Sequence, residues 1–329
     1  PLRLKVNTSE AELQLSAEVA FPLDRRDMDF SLSLEGRRLD DLDSLLLVSL
    51  PPWGPYSVNG HLQVASDGYY LSDLDLRIGG SDLTGHVDLS TRGPKPRLEA
   101  ELTSKAIQLD DFRLGGWTPT GEPKPPALAA GAERSRETGE KFKALLAAEV
   151  MRSADARVTI EVRDVISGTD HLGRGTLKAV LRDGRLDIDP LAVNIPAGAV
   201  TASIMLDRSG DNILAGLTTS IDQLDYGIMA RRVDPLAEAA GLLSLDADLS
   251  FRADELTDLW RSADGHLSFA AWPENLSGGV FDIWAVNLFF AILPRFGAGS
   301  VSKVNCLIAD FELTDGTMKA RLLVLDTSR

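Results

Sequence analysis

The sequence has few of the residues from which cross-links and metal sites are made. A single cysteine, Cys306, is present, so no disulfide can form within the chain and a zinc site built on thiolates is excluded. The four histidines lie far apart, and none has a second ligand at metal spacing: His61, His86, His171 and His266. We therefore expect neither a metal nor a cofactor.

Long apolar runs and an excess of positive charge are also lacking. The most apolar stretch, Ile283–Leu293, spans 11 residues and stops at Pro294, which is too short to cross a bilayer. Lys and Arg number 34 against 49 for Asp and Glu, a net charge of −15. That balance opposes stable binding to nucleic acid or to anionic headgroups, and we expect no nucleic-acid partner.

The beginning of the chain carries no signal peptide. Its first residue is Pro1, inside a segment that already alternates like a strand. We expect a piece of a longer protein, with any membrane anchor outside it.

Apolar residues recur at every second position from end to end, the pattern of strands with one buried and one wet face. Clear examples begin at Tyr56, Val158 and Leu245, and Asp-Gly pairs at 67–68, 183–184 and 315–316 predict tight hairpins in which glycine adopts a positive φ. Gly60, Asp67 and Gln108 recur as Gly175, Asp183 and Gln223, at offsets of 115, 116 and 115 residues. The sequence therefore predicts a mainly β, mostly antiparallel fold with a repeated multi-strand unit.

Helical signals are few. Asp40 is positioned to cap a short turn through Leu42, Leu45 and Leu46, and Thr138 to open a helix with Phe142, Leu145, Leu146 and Val150 on one stripe. A third helix is predicted from Pro235 to Leu243, capped by Asp234. A Pro, Gly and Ala-rich linker at 118–139 divides an N-terminal β-segment, 1–117, from a second, 140–329, unless the two form one continuous groove.

Strands with one apolar side need that side covered, because a Leu or Val side chain left in water loses roughly 1.5 to 3 kcal/mol of stabilising free energy relative to burial. That cover can be a second sheet, a layer of helices or a bound apolar ligand, and the chain has too few helices to form a helical layer. Aromatics make up only 6%, which favours an aliphatic, open groove on an elongated, curved sheet with a few short capping helices over a sandwich. The inward positions expected to line it are Val58, Leu62, Val64, Leu74, Leu76, Ile78, Val158, Ile160, Val162, Leu177, Leu191, Val193, Ile204, Leu217, Leu245, Leu249, Leu267, Phe269, Phe311 and Leu322.

The apolar stretch at 283–293 has two interpretations. It is either a buried core helix or a helix that covers the groove or lies in a lipid interface, with Trp284, Leu288, Phe289 and Ile292 as the contacting residues.

Catalysis and calcium binding are the alternatives offered by the abundant carboxylates. Asp40, Asp41 and Asp43, or Asp187 and Asp189, are candidate acid and base groups. These residues fall at turns, caps or the wet side of strands, where acidic side chains keep a protein soluble, and no segment has the ligand spacing of a calcium loop. We therefore expect a protein that is not an enzyme.

Several segments resemble the AsmA family of envelope proteins. Residues 265–329 carry the longest likeness, including Trp272-Pro273-Glu274-Asn275, the stretch 279–290, Ser302-Lys303-Val304-Asn305-Cys306 and Asp326-Thr327-Ser328. Gly54-Pro55-Tyr56, the stretch 74–85, and the stretch 181–186 before Asp189-Pro190-Leu191 look like the family's recurring β-units.

This resemblance implies a Gram-negative inner-membrane protein, anchored by one N-terminal helix absent from this sequence. Its periplasmic part would be a β-groove similar to that of bridge-like lipid transfer proteins. The implied cargo is phospholipid moving between the inner and outer membranes, with envelope proteins as partners at either end and no catalytic residues.

A scaffold or assembly factor for outer-membrane proteins is the rival hypothesis. It would receive strands on an exposed sheet edge and fits the same fold and location. Lipid transfer predicts acyl-chain contacts at inward positions such as Val64, Leu76, Ile160, Val193, Ile204 and Leu249. A scaffold predicts contacts at backbone edges instead.

Overall fold

The computed structural model describes residues 2–7, 11–17, 27–42, 51–112, 146–195, 198–210, 212–228, 240–275 and 303–328. Strands dominate these residues, as the alternation predicts. They are β1 (Leu2–Asn7), β2 (Ala11–Ala17), β3 (Asp27–Gly36), β4 (Tyr56–Ala65), β5 (Gly68–Ile78), β6 (Ser81–Ser90), β7 (Arg97–Ser104), β8 (Ile107–Gln108), β9 (Asp155–Ser167), β10 (Asp170–Arg182), β11 (Arg185–Ile195), β12 (Gly198–Asp207), β13 (Ile213–Asp225), β14 (Ala240–Ala253), β15 (Asp264–Asn275), β16 (Lys303–Thr314) and β17 (Thr317–Ser328). The fold is mainly β, with strands in a mostly antiparallel sheet that does not close on itself, and this part of the predicted fold class is confirmed.

The chain divides into two compact units. Unit 1 contains residues Pro1–Ile166, Arg174–Pro190 and Leu206–Asp211, and unit 2 contains Ser167–Gly173, Leu191–Met205 and Asn212–Arg329. The predicted linker at 118–139 lies outside the described residues.

Strand pairing in unit 1 follows chain order. Each strand from β1 to β7 pairs antiparallel with the next. β7 and β8 then both pair with β9, in parallel. The parallel pairs are possible because a long connection separates β8 from β9, whereas a two-residue hairpin allows only antiparallel pairing.

In unit 2, β13 to β17 form a second antiparallel run in chain order. Its hairpin from β16 to β17 turns at Asp315-Gly316, and in unit 1 the hairpin from β10 to β11 turns at Asp183-Gly184. Both residues of each pair have positive φ, between 49° and 85°, as a type I′ turn between twisted strands requires.

The third predicted Asp-Gly turn differs. Ser66 and Asp67 form the turn, and Gly68 is the first residue of β5, paired with Ala65. The prediction of a positive φ at Gly68 was wrong. Glycine is needed there for another reason, because a Cβ would lie 2.4 Å from the Leu89 carbonyl oxygen.

Helices are short. One α-helix, α1 (Ala148–Ser153), and three 3-10 turns, at Leu39–Leu42, Leu109–Phe112 and Leu256–Ser262, occur in the described ranges, with a helical segment at 226–228. The prediction that Val150 lies on the buried stripe of a helix was wrong. Val150 is 50% exposed, whereas the next residue, Met151, is only 2% exposed. The helix predicted to reach Leu243 was also wrong at its end, because β14 begins at Ala240.

Among the described residues, no helix has the length and apolarity needed to span a membrane.

Candidate functional site

Strand register gathers the apolar residues of unit 1 on one side of its sheet. Val58 of β4 stands opposite both Leu34 of β3 and Leu76 of β5, and cross-strand partners share a face. The same alternation continues through β6 and β7 into β9. We call this surface the unit 1 apolar face: Phe30, Leu32, Leu34, Val58, Leu62, Val64, Leu71, Leu74, Leu76, Ile78, Leu83, Val87, Leu89, Leu98, Ala100, Leu102, Ala156, Val158, Ile160 and Val162.

The other side of the same strands is polar. Ser33 donates to the Asn59 side-chain oxygen at 2.9 Å across β3 and β4, and the Thr84 and Thr103 hydroxyls lie 3.0 Å apart across β6 and β7. Because side chains alternate between the two sides of a strand, the polar residues are collected on this side of the sheet.

One end of the unit 1 apolar face is closed by the protein itself. Tyr56 and Ile78 are buried there, 3% and 4% exposed. Leu39, Trp53 and Phe112 pack against this pair, and the Trp53 and Phe112 rings meet edge to face at 5.1 Å. The two 3-10 turns carrying Leu39 and Phe112 thus act as a small cap.

Two polar atoms inside this cap have no hydrogen-bond partner among the described residues. They are the Tyr56 hydroxyl and the Trp53 indole nitrogen. Burial, with a smaller contribution from Asp41, raises the pKa of Tyr56, so its hydroxyl is held neutral. The ring lies against Gly36, where a Cβ would come within 2.5 Å of the hydroxyl.

Away from the cap, the unit 1 apolar face stays partly open. Six of its residues on β4 and β9, Val58, Leu62, Val64, Val158, Ile160 and Val162, are half-buried, whereas Leu74, Ile78 and Ala100 on the strands between them are buried. None of these six belongs to a buried cluster formed by the described residues, although Val58 packs against the cap. Half-buried aliphatic side chains also occur on the strands between β4 and β9, at Leu76, Val87 and Leu102, so partly exposed apolar surface extends across the sheet.

Unit 2 has a corresponding surface, the unit 2 apolar face: Ile213, Ala215, Leu217, Ile221, Leu245, Ala247, Leu249, Phe251, Leu267, Phe269, Ala271, Leu307, Ala309, Phe311 and Leu313. It is more closed, since Leu249, Ala309 and Phe311 are 5%, 0% and 3% exposed. Ala263, at the end of the 3-10 turn Leu256–Ser262, joins this cluster. The Phe269 and Phe311 rings stack at 6.2 Å.

Most predicted lining residues fall on these two faces. The nine from β4, β5 and β9 lie on the unit 1 apolar face, and Leu217, Leu245, Leu249, Leu267, Phe269 and Phe311 lie on that of unit 2. Leu177, Val193 and Ile204 are half-buried, and Leu191 is 36% exposed. Trp284, Leu288, Phe289 and Ile292 lie outside the described residues.

Leu322 is placed differently from the prediction. A register shift in the β16–β17 pair sets Ala320 opposite Phe311 but Leu322 opposite Asp310, leaving Arg321 as an extra residue. Leu322 therefore lies on the polar side of the sheet, 49% exposed. Leu323 and Leu325, paired with Ala309 and Leu307, occupy the apolar side instead.

Sequence reasoning missed the contribution of β3 and of the cap. Phe30, Leu32 and Leu34 alternate as clearly as the residues of β4, so the period of two was a sufficient signal. Trp53 and Phe112 carried no such signal, because they lie outside strands and meet only in the folded chain.

No group of three or more His, Cys, Asp and Glu side chains in the described part of the chain is arranged to hold a metal ion. A cavity of about 50 Å³ lies among Arg97, Arg157, Val180 and Arg182. It is too small for an acyl chain, and Arg97 and Arg157 alternate with residues of the apolar face.

Comparisons with known proteins agree with the family resemblance. The sequence model of the AsmA family matches residues 57–323. The AsmA family protein YhjG of Escherichia coli (strain K12) is 22% identical over 346 residues, covering 99% of this chain and 49% of the relative. This chain thus spans about half the length of that relative. No solved structure matches.

The family match extends over β4 to β17, the strands that form most of both apolar faces. Envelope proteins make up this family, so a bacterial envelope location follows at that level. The chain belongs to the AsmA family.

Proposed function

We propose that this chain binds phospholipid acyl chains on its apolar sheet faces and, as part of an envelope protein, helps move lipids between the inner and outer membranes. The observation that carries the proposal is the unit 1 apolar face, most of whose aliphatic residues remain partly exposed. It faces the periplasm in this proposal, on a protein anchored in the inner membrane by a segment outside this sequence.

The energetics favour such a surface. A diacyl lipid has about 30 methylenes. Moving them from an apolar environment into water would cost on the order of 24 kcal/mol of free energy, at about 0.8 kcal/mol each. An apolar face that accepts the chains removes much of this cost. The headgroup stays in water, so no headgroup pocket and no reacting group are required, and we propose no enzymatic activity.

Of the two surfaces, the unit 1 apolar face is the better lipid site. Its Val158, Ile160 and Val162 are half-buried, whereas Leu249 and Phe311 in unit 2 are already covered by packing. Binding of an acyl chain is most favourable where the apolar surface of the protein is still exposed to water before the acyl chain binds.

Site-specific photocrosslinking in cells tests the proposal, with a photoreactive residue at Val64, Leu76 or Ile160. The neighbouring positions Gln63, Arg77 and Thr159 are matched controls, since they lie on the same strands and on the polar side. We expect phospholipid adducts from the first three and none from the controls. Equal labelling at both sets would contradict a one-sided site.

A strand-receiving scaffold remains the second candidate, favoured by the exposed residues of β17. It predicts protein adducts from β17 and no lipid adducts from Val64, Leu76 or Ile160. Unfolded outer-membrane protein would be the captured partner.

A further inference from the structure

The rim of the unit 1 sheet that lies away from the cap is formed by the other ends of the same strands. Strand register sets one row of residues along this rim: Ala65, Gly68, Ser90, Arg97 and Asp155. The cap lies at the far ends, where Tyr56 pairs with Ile78. The unit 1 apolar face is therefore bordered by aromatic rings at one rim and by charged residues at the other.

Three arginines line a cavity of about 50 Å³ at this charged rim. Arg97 is the first residue of β7, Arg157 lies near the start of β9 and Arg182 is the last residue of β10. All three are exposed. A cavity needs about 10–15 Å³ to hold one water, so this one has room for a small polyatomic ion.

These arginines have no ion-pair partner among the described residues, although other cations of the rim do. Lys95 donates to the Asp183 carboxylate at 2.6 Å, and Arg92 pairs with Asp67. Lys95, with a smaller contribution from Arg182, lowers the pKa of Asp183. The carboxylate nearest Arg182 in sequence is thus already paired with a lysine.

Two carboxylates also line the cavity, but neither is paired with an arginine there. Asp155 accepts the backbone N–H of Asp183 at 3.1 Å and so holds the turn between β10 and β11. Glu99 stands opposite Arg157 in the register of β7 and β9, without an ion pair between these two described residues. With three arginines against two carboxylates, the cavity has an excess of positive charge.

We propose that this cavity binds a phosphate group through Arg97, Arg157 and Arg182. A guanidinium group presents a planar fork of N–H donors that matches two phosphate oxygens. Arg97 and Arg157 lie on the polar side of neighbouring strands, two positions apart in the register. The net charge of −15 has little effect at this range, because charges beyond about 8 Å are screened at physiological salt.

The phosphate group has two possible sources. One is the headgroup of a phospholipid whose acyl chains lie on the unit 1 apolar face. That source rests on the proposed function, and it fits a cavity at strand ends, where the headgroup stays in water. The other is a free phosphate, which uses the same donors and needs no acyl chain.

Calorimetric titration of the purified chain with three probes tests the site. The probes are inorganic phosphate, dihexanoylphosphatidylcholine below its micellar concentration, and dihexanoylglycerol, which has the same chains without the phosphate. Arg97→Gln combined with Arg157→Gln should weaken binding of a phosphate-bearing probe at least about fivefold, through lost charge-assisted hydrogen bonds. Binding of dihexanoylglycerol should not change.

Arg77→Gln combined with Arg252→Gln is the matched control. It removes the same charge from two exposed residues that do not line the cavity. This variant should bind all three probes as the unsubstituted chain does. An equal loss in the control would overturn the proposal, because it would show a general effect of net charge. Thermal unfolding checks that both variants fold.

The probes also separate the two sources. A headgroup site makes the phosphatidylcholine bind more tightly than dihexanoylglycerol, and only when the arginines are present. A site for free phosphate makes inorganic phosphate binding depend on the arginines while the two lipids bind alike.

The unsubstituted chain alone can overturn the proposal, so the test does not depend on whether the variants fold. Equal affinity for the two lipids, together with no binding of inorganic phosphate, would do so. Failure of the proposed function looks different, since dihexanoylglycerol would then not bind while inorganic phosphate still would.

Discussion

At the scale of single residues, close backbone contacts decide where side chains are tolerated. Gly265 of β15 has φ of +139°, and a Cβ there would lie 2.0 Å from the Asp248 carbonyl oxygen. Gly216 of β13 has ordinary φ, with its nearest contact at 3.6 Å on the Met205 side chain. The two glycines therefore differ in what alanine would cost.

Gly265→Ala should lower the free energy of unfolding by about 2 kcal/mol or more, because it combines a strained φ with a backbone clash. Gly216→Ala, in the same unit, should change it by less than about 1 kcal/mol. Urea denaturation followed by circular dichroism measures both. Similar losses in the two variants would contradict this account of the sheet's close contacts.

Tyr226 contributes a pH-dependent stability. Its hydroxyl donates to the Ala240 carbonyl oxygen at 2.5 Å, and burial, with Asp225 and Glu274, raises its pKa to about 12. The unfolded value is about 10. Because the folded pKa is the higher one, the neutral tyrosine stabilises the fold fully below about pH 10 and loses this effect as pH rises toward 12.

Tyr226→Phe should therefore lower the free energy of unfolding by about 1 kcal/mol near pH 8, through the lost hydrogen bond. The difference from the unsubstituted protein should shrink at pH 11. Denaturation curves at the two pH values provide the measurement, and a difference that stays constant would argue against a raised pKa at this site.

At the scale of elements, β9 presents opposite chemistry on its two sides. Ile160 lies on the unit 1 apolar face beside Leu102, and its neighbour Thr159 lies on the polar side beside Glu101. Both side chains are half-buried, so a polar residue introduced at either position would be exposed to solvent to a similar extent. The pair separates an effect on the face from a general effect on the strand.

Ile160→Asn should reduce the phospholipid that co-purifies with the chain by several-fold, because it places an amide on the surface where hydrocarbon would lie. Thr159→Asn should leave the lipid content unchanged. Lipid extraction and phosphate analysis quantify both, with thermal unfolding as a check on folding. Loss of lipid in the Thr159 variant alone would point to a site on the wrong side of the sheet.

The sequence predicts these elements well where the period of two is unbroken, as in β6 and β7. It fails at β17, where Leu322 to Leu325 are all apolar, so that periodicity alone cannot reveal the extra residue Arg321. The parallel pairing of β7 with β9 has no local signal, because it depends on contacts between residues far apart in the chain. The cap of Trp53 on Phe112 was missed for the same reason.

At the scale of the whole molecule, the candidate site is a property of many strands. No single side chain is indispensable, since an acyl chain would contact aliphatic groups on several strands in succession. The partly open unit 1 apolar face and the more closed face of unit 2 arise from the same alternating pattern. What distinguishes them is how far the chain's own residues cover each one.

The central claim is that this chain presents more apolar sheet surface than it covers itself, and that lipid covers the remainder. Native mass spectrometry of the purified chain, before and after organic extraction, tests it most directly. The account predicts protein carrying phospholipid masses that disappear on extraction. A compact protein that is free of lipid in repeated preparations would contradict it.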